Sequence, residues 1–310
     1  RPFTPDSGDA LTLFGRFLPT SLIQPHQTLL TNMAELVGHL PLALALLAAQ
    51  LARRPEPDHL QQLYNNLQEA HSRLDTLQRE NRSIRATFDV SYDWLTSQQK
   101  SFFRQLGIFD GDDFDLSAVS AITQTSAGEA HSQLQQLRQL SLLQESHTGR
   151  YRLHPLLRDY AREKLAAQQE EAATAERMIT HYLALVPTAE APDAAVVTSE
   201  MSNLLGTLRT AARLNLGTQL VHAVNSFFDI FHEKGLWETL EEYTQQAITL
   251  AQTAADLAAQ AAMHSALSRI QWWRGEDPYD TLQTALALAQ QVDAPLILSN
   301  ILQELGAWHN

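Results

Sequence analysis

Apolar residues recur at helical spacing along almost the whole of this chain, and a single stretch alternates in the way a paired strand must. That contrast confines the chain to a mainly α architecture with one small β element. Breakers are few: Gly and Pro number 12 each in 310 residues, while Leu, Ala and Gln abound. Thr4-Pro5-Asp6-Ser7 reads as a helix start, followed by Ala10, Leu11, Leu13, Phe14, Phe17 and Leu18. Asn32 to Val37 begins a second helix, which Gly38-His39-Leu40-Pro41 interrupts. Leu42 to Leu51 is apolar nearly all round and predicts a buried helix, with Pro41 in its first turn, where a missing N–H costs nothing. Arg53-Arg54-Pro55-Glu56-Pro57 ends it, and a polar stretch from Asp58 to Arg79 leads to the next unit.

That unit is patterned differently. Ile84, Phe88, Val90, Tyr92, Trp94 and Leu95 mark one helix. Thr96 with Gln99, and Ser126 with Glu129, have capping-box spacing, and Asp115 caps a helix between them. The hairpin comprises Leu142 to Glu145, a turn at His147-Thr148-Gly149, and Tyr151 to Leu153. Helices followed by a short hairpin is the element order of a winged helix. Pro155 then opens a long helical pattern from Leu156 to about Val186, and a Pro/Ala-rich joint lies at Pro187 to Pro192. Past the joint the chain repeats itself. Gly235 precedes Ala247-Ile248-Thr249-Leu250-Ala251-Gln252, and Gly275 precedes Ala285-Leu286-Ala287-Leu288-Ala289-Gln290, an offset of 38–40 residues. The tetratricopeptide unit has about 34 residues, so this one is longer but fits a solenoid of paired helices. Phe227, Phe228, Phe231, Trp237, Trp272 and Trp273 are read as packing between those helices rather than as a ligand cage.

Charge and composition remove whole classes of function. The formal charge is −13, and it is uneven: residues 1–79 and 80–165 are each net −1, whereas 166–310 are net −11. An acidic last half is a poor footprint for nucleic acid and suits a solvated array that meets protein partners. With no cysteine there is no disulfide framework, zinc–thiolate site or thiol catalysis, and a cytoplasmic location is expected. The twelve histidines show no paired ligand spacing, so no metal is expected. The longest apolar run, Leu40 to Ala49, has ten residues, too short to cross a bilayer. No signal peptide opens the chain, which begins at Arg1 without Met and finishes at Asn310 straight after a helical pattern; further motifs are expected outside it.

Three landmarks in order resemble one family. Gly38-His39-Leu40-Pro41-Leu42-Ala43-Leu44 resembles the GLPLAL element of NB-ARC proteins, with His39 inserted. Ser91-Tyr92-Asp93-Trp94-Leu95 is similar to their SYDxL helix. Tyr151-Arg152-Leu153-His154-Pro155-Leu156-Leu157-Arg158-Asp159-Tyr160-Ala161 resembles the segment around their MHD motif. Ala10 to Phe14 is similar to the helix that opens the family's helical domain, and Glu200 to Leu208 to the start of the array in bacterial members. The set looks like the regulatory part of a STAND-class signalling ATPase.

The resemblance implies a switch. A nucleotide lies between an upstream P-loop nucleotide-binding domain and the helical and winged-helix domains, ADP holds the resting state, and the array senses an inducer or protein partner. ATP then replaces ADP and the full-length protein self-oligomerises. It implies two cofactor-binding residues, Pro41 beside the adenine and ribose and His154 at the β-phosphate of ADP. Proline offers a rigid apolar face to a flat base, and a histidine can donate to a phosphate oxygen. The basic residues Arg150, Arg152, Arg158, Arg162 and Lys164, against Asp159 and Glu163, give a local net of +3 that reads as a solvated helix face. Two departures matter. The MHD position reads Leu153-His154-Pro155, without its acidic third residue, and nothing matches GxxxxGK[ST]. The chain is therefore expected to have no catalytic residues and no ATP turnover, with ADP or ATP bound only alongside the missing nucleotide-binding domain.

The expected fold is mainly α: a helical domain over 1–78, a winged-helix domain with its small β-hairpin over 79–166, and a TPR-like α-α superhelix over 170–310. Two alternatives are a repeat scaffold without a nucleotide role and a winged-helix DNA-binding regulator. Against the second, the recognition helix, Gly128 to Leu140, holds only Arg138, Glu129 and His131 as charged or titratable groups.

Overall fold

A computed structural model describes every residue except 1–2, 4–7, 74–78, 148, 187–192, 293–294 and 309–310. The helix start at 4–7, the middle of the hairpin turn and the joint at 187–192 lie outside the described residues. The chain divides into two compact units, Arg1–Gly107 with Asp115–Gln168, and Ile108–Phe114 with Gln169–Asn310.

The first unit opens with α1 (Asp9–Gly15), the single-turn α2 (Thr20–Ile23), α3 (Gln27–Leu36) and α4 (Pro41–Arg53). α5 (Pro57–Arg73) and α6 (Arg79–Asp93) follow, with α4 packed on α1 and α6, and α5 on α3 and α6. α4 is buried nearly all round, as its composition requires: Ala43, Leu44 and every residue from Leu46 to Leu51 are inside. Phe14, Leu30, Met33, Leu44, Leu47 and Leu51 share one core. α5 replaces what the sequence suggests is a polar connection. Its apolar stripe is narrow, Leu60, Leu63 and Leu67, but all three are fully buried in that core. α3 likewise starts at Gln27, ahead of the expected Asn32.

The chain then runs α7 (Ser97–Leu106), β1 (Phe114–Asp115), α8 (Leu116–Thr123), α9 (Ala127–Gln139), β2 (Gln144–His147), β3 (Arg150–Arg152) and α10 (Pro155–Ala167). At the start of α7 the capping box is complete: Thr96 Oγ1 accepts from the Gln99 N–H at 3.2 Å, and Gln99 Oε1 accepts from the Thr96 N–H at 3.0 Å. At the start of α9 it is half-made. Ser126 Oγ accepts from the Glu129 N–H at 3.3 Å, but Glu129 Oε1 accepts from Gln98 Nε2 at 2.7 Å instead of reaching back. Asp115 caps α8 through the Ala118 N–H, 2.8 Å away. β2 and β3 are antiparallel with Gln144 opposite Arg152 and an irregularity between Glu145 and His147. The sheet order is β1-β3-β2, so a third strand joins the expected hairpin; at two residues it is too short to show alternation. The expected helix from Leu156 to Val186 is in fact two. α10 stops at Ala167, Gln169 turns left-handed at φ 58°, and α11 runs Glu171–Ala184. The polar run Gln168-Gln169-Glu170 has no apolar residue to bury, so helix continuity gains nothing there.

In the second unit α11 is followed by α12 (Ala194–Arg213), α13 (Gly217–Glu233), α14 (Trp237–Thr253), α15 (Leu257–Trp273), α16 (Tyr279–Ala289) and α17 (Pro295–Trp308). Each helix packs on the next, and several also pack on the next but one, which makes this a helical-repeat fold. Its turns are regular. Asn215, Gly235, Ala255 and Gly275, 20 residues apart, all have positive φ. After each, the next N–H donates to the carbonyl five residues back: Leu216 to Ala211, Leu236 to Phe231, Asp256 to Ala251 and Glu276 to Gln271, all at 2.9 Å. The period seen in the sequence is thus two such steps, a helix and its antiparallel partner. Phe227, Phe228 and Phe231 are buried between helices as expected, and Trp237 and Trp273 are half-buried. Trp272 departs from that expectation, being 50% exposed. Adjacent residues on a helix point about 100° apart, so Trp272 and Trp273 cannot both enter one core. The short segment Ile108–Phe114 belongs to this unit; Arg209 pairs with Asp110, and Asn203 Nδ2 donates to the Asp113 carbonyl at 2.8 Å.

Candidate functional site

Pro41 is the first residue of α4, half-buried, with Leu40 extended before it. Gly38 and His39 precede it in left-handed conformation, φ 61° and 54°, and the His39 carbonyl accepts from the Phe3 N–H at 2.9 Å. The inserted histidine therefore takes part in the turn that ends α3 and aims α4. His154 is the N-cap of α10: its Nδ1 accepts from the Leu156 N–H at 3.3 Å. Partial burial, then the positive charge of Arg152, hold its pKa below the ordinary histidine value. A neutral ring that accepts at Nδ1 carries its proton on Nε2, so the cap leaves one N–H donor. Pro41 and His154 lie in the same unit at the starts of different helices; α4 packs on α1 and α6, whereas α10 packs on α7.

The segments that resemble family motifs are joined by a polar clamp. Tyr160 of α10 donates to Asp89 Oδ1 of α6 at 2.7 Å, and Lys164 Nζ reaches the same oxygen at 3.2 Å. Arg85 makes a bidentate pair with Glu163. Lys164 also lies 5.4 Å from the Tyr92 ring centre and 4.9 Å from that of Tyr160. Burial and the adjacent Asp89 push the Tyr160 hydroxyl pKa far above its usual value, so it stays a donor. Arg162 Nε donates to the Gly107 carbonyl at 3.2 Å. The cluster that reads in sequence as a solvated face is therefore partly spent on internal ties.

A groove of about 830 Å³ lies in the repeat unit, lined mainly by α13, α15 and α17. Its floor is small, with Ala259, Ala262 and Ala266 on α15. Trp272 and Leu296 offer exposed apolar surface, 50% and 76% accessible, while His222, Asn225 and Asn300 supply polar groups. Arg269 is held over the Phe228 ring at 4.1 Å and bonded to Asp229 at 2.8 Å. Glu304 accepts from Ser265 Oγ at 2.8 Å, and burial raises its pKa above the ordinary carboxylate value. Hydrogen-bonding groups thus stand beside apolar surface along the groove. Among the described residues no cluster of three His, Asp or Glu is placed to hold a metal ion, and no helix is long and apolar enough to cross a membrane. Of the groove residues, sequence reasoning singled out only Trp272 and Trp273, and those as packing between helices. The adjacent tryptophans are the signal that at least one aromatic must face outward.

No family model matches the chain. Curated sequences do. The Regulatory protein AfsR of Streptomyces coelicolor is 33% identical over 183 residues, 57% of this chain and 18% of that protein. Its counterpart in Streptomyces griseus is 32% identical over 180 residues, with the same coverage of 57% and 18%. The Disease resistance protein RPP5 of Arabidopsis thaliana is 28% identical over 184 residues, 57% of this chain and 11% of its own length. A solved Signal Transduction ATPase with Numerous Domains (STAND) that has a tetratricopeptide repeat sensor, PH0952 of Pyrococcus horikoshii, aligns over 98% of this chain and 51% of its own at 14% identity and a TM-score of 0.38. The chain spans 18% of the length of the AfsR proteins it matches. The resemblance to a STAND-class signalling fragment, read from ordered motifs, is thus supported by sequence likeness to the AfsR regulators.

Proposed function

We propose that this chain is the regulatory and partner-sensing part of a STAND-type switch. The observation that carries the reading is the likeness to the AfsR regulatory proteins. The clamp between α6 and α10, which ties two motif-bearing segments, is consistent with it. On this reading residues 1–78 form a helical domain and 79–166 a winged helix, matching the order α7, β1, α8, α9, β2, β3. The repeat groove receives a protein partner or inducer, and an upstream nucleotide-binding domain supplies the phosphate-cradling loop. The protein works in the cytoplasm and self-oligomerises when ATP replaces ADP. Pro41 borders the adenine and ribose of ADP, and the Nε2–H of His154 donates to its β-phosphate. The chain itself turns over no ATP, since it carries no GxxxxGK[ST] loop. DNA binding is the weaker alternative: Arg138, the one basic side chain of α9, is engaged with Glu145.

The test uses the full-length protein. His154→Ala removes one hydrogen bond to a charged oxygen, worth about 1.5–3 kcal/mol, so ADP should be held roughly 10- to 100-fold less tightly and basal activity should rise. An unchanged ADP off-rate with unchanged basal activity excludes the role assigned to His154.

A further inference from the structure

Two hydrogen bonds hold the three groove helices in step. Arg269 of α15 donates to Asp229 of α13, 40 positions back, and Ser265 of α15 donates to Glu304 of α17, 39 positions on, both at 2.8 Å. Each offset is the length of one helix pair, so α13, α15 and α17, which also pack on one another, run parallel. By the same offsets Asn225 stands level with Ser265 and Glu304, a rung that crosses the groove partway along it. Asp256, the N-cap of α15, and Leu296, the second residue of α17, mark the end where the helices start. Trp272, next to last in α15, marks the other end. At 1.5 Å per helical residue the rung lies roughly 12 Å from the first end and roughly 10 Å from the second.

Charge sets what the groove can receive. Arg269 is the one Arg or Lys that lines it among the described residues, and Asp229 already neutralises that cation. Glu304 and Asp256 also line it, and neither pairs with a cation among the described residues. Glu304 accepts from Ser265, and Asp256 from the Ala259 N–H at 3.0 Å. Glu304 is half-buried, so its carboxylate has lost water without gaining a counter-charge. Residues 166–310 around it are net −11, and that field adds to the attraction for a cation. The two ends are apolar and open, at Leu296 and Trp272. Between them the exposed amides of Asn225 and Asn300 bond to nothing else among the described residues. Each can donate to a main-chain carbonyl and accept from a main-chain N–H. The alanines of the floor let a backbone come close. An extended chain rises about 3.3 Å per residue, so 10–12 Å is about three residues.

We infer that the groove binds an extended peptide in which a lysine or arginine has an apolar residue about three positions away on each side. The cation meets Glu304, within the field of Asp256, the apolar residues cover Leu296 and Trp272, and Asn225 and Asn300 bond the main chain. This rests on the groove being the surface that receives a protein partner, and it names that partner's chemistry.

An array of heptapeptides tests this on the 310-residue chain, with Leu, Phe, Lys, Arg, Glu, Asp, Gln or Ser at the first, fourth and seventh positions and Ser elsewhere. The tightest binders should carry Lys or Arg at the fourth position and Leu or Phe at both ends. Glu in place of the central cation should weaken them about tenfold or more. Glu304→Gln should weaken them about tenfold, Trp272→Ala about tenfold and Asp256→Asn, which keeps the cap, about threefold. Glu238→Gln on α14, exposed and outside the groove, should change nothing. Equal losses from Glu238→Gln and Glu304→Gln would mean attraction to net charge alone and overturn the proposal. Acidic or uncharged peptides that bind and are weakened by Trp272→Ala would overturn the cation preference while leaving the groove a partner surface. No binding by any peptide, or binding that Trp272→Ala leaves unchanged, would overturn both.

Discussion

Asn215, Gly235, Ala255 and Gly275 occupy the same left-handed corner of the repeat, yet only two are glycine. An L-residue there costs roughly 1–2 kcal/mol from the clash of Cβ with the following carbonyl, and asparagine tolerates the region better than alanine. Ala255 is thus a strained corner. Ala255→Gly should stabilise the repeat unit by about 1 kcal/mol, and Gly275→Ala should destabilise it by a similar amount, both read from urea midpoints. Nothing lies within 4 Å of a Cβ added at Gly275, so its effect is backbone conformation alone. Equal midpoints for all three proteins would mean the corners carry no strain. The glycine corners are legible in sequence because glycine announces positive φ. Ala255 is not, since nothing local marks an alanine that tertiary packing has forced into that region. His154 is similar: its place between strand and helix is readable, while the bond from Leu156 that selects its tautomer belongs to the folded turn.

Between elements, close approach decides more than composition. Gly107 ends α7 where α10 passes, and an added Cβ would sit 2.5 Å from the Arg162 nitrogen and 2.7 Å from the Ala161 carbonyl carbon. Those are backbone atoms that cannot swing away. Gly107→Ala should therefore cost about 1–3 kcal/mol in denaturant unfolding, with a loss near zero showing that α7 and α10 can separate freely. α10 is also tied to α6, through the Asp89, Tyr160 and Lys164 clamp. Sequence shows the acids and bases of these helices as periodic polar residues, 71 positions apart for Asp89 and Tyr160. Which of them meet depends on how the helices cross. α5 teaches the converse, because three leucines in a polar helix suffice when a deep apolar surface is already waiting for them.

For the whole molecule, two glutamates set opposing pH dependences. Glu304 is buried and its pKa lies above 4.5, so the folded state holds its proton more tightly than the unfolded chain does. Its contribution is greatest below pH 4.5 and is lost as pH rises through the folded pKa. Glu163 is hydrogen-bonded and paired with Arg85 and its pKa lies below 4.5, so its contribution is present above pH 4.5 and lost on acidification. Relative to the parent, Glu304→Gln should gain stability as pH rises above 4.5, whereas Glu163→Gln should lose stability as pH rises towards 4.5 from the acid side; parallel stability curves for parent and variants would contradict both assignments. Much of the fold was determined by sequence alone: the helical content, the capped starts at Thr96, Asp115 and Pro155, the hairpin, and the helix-pair period, because each depends on a window of residues and the periods of backbone geometry. Only the tertiary structure decided which residues share a wall. The groove draws on α13, α15 and α17, because a cavity is defined by where packed helices leave space, and no local pattern encodes that.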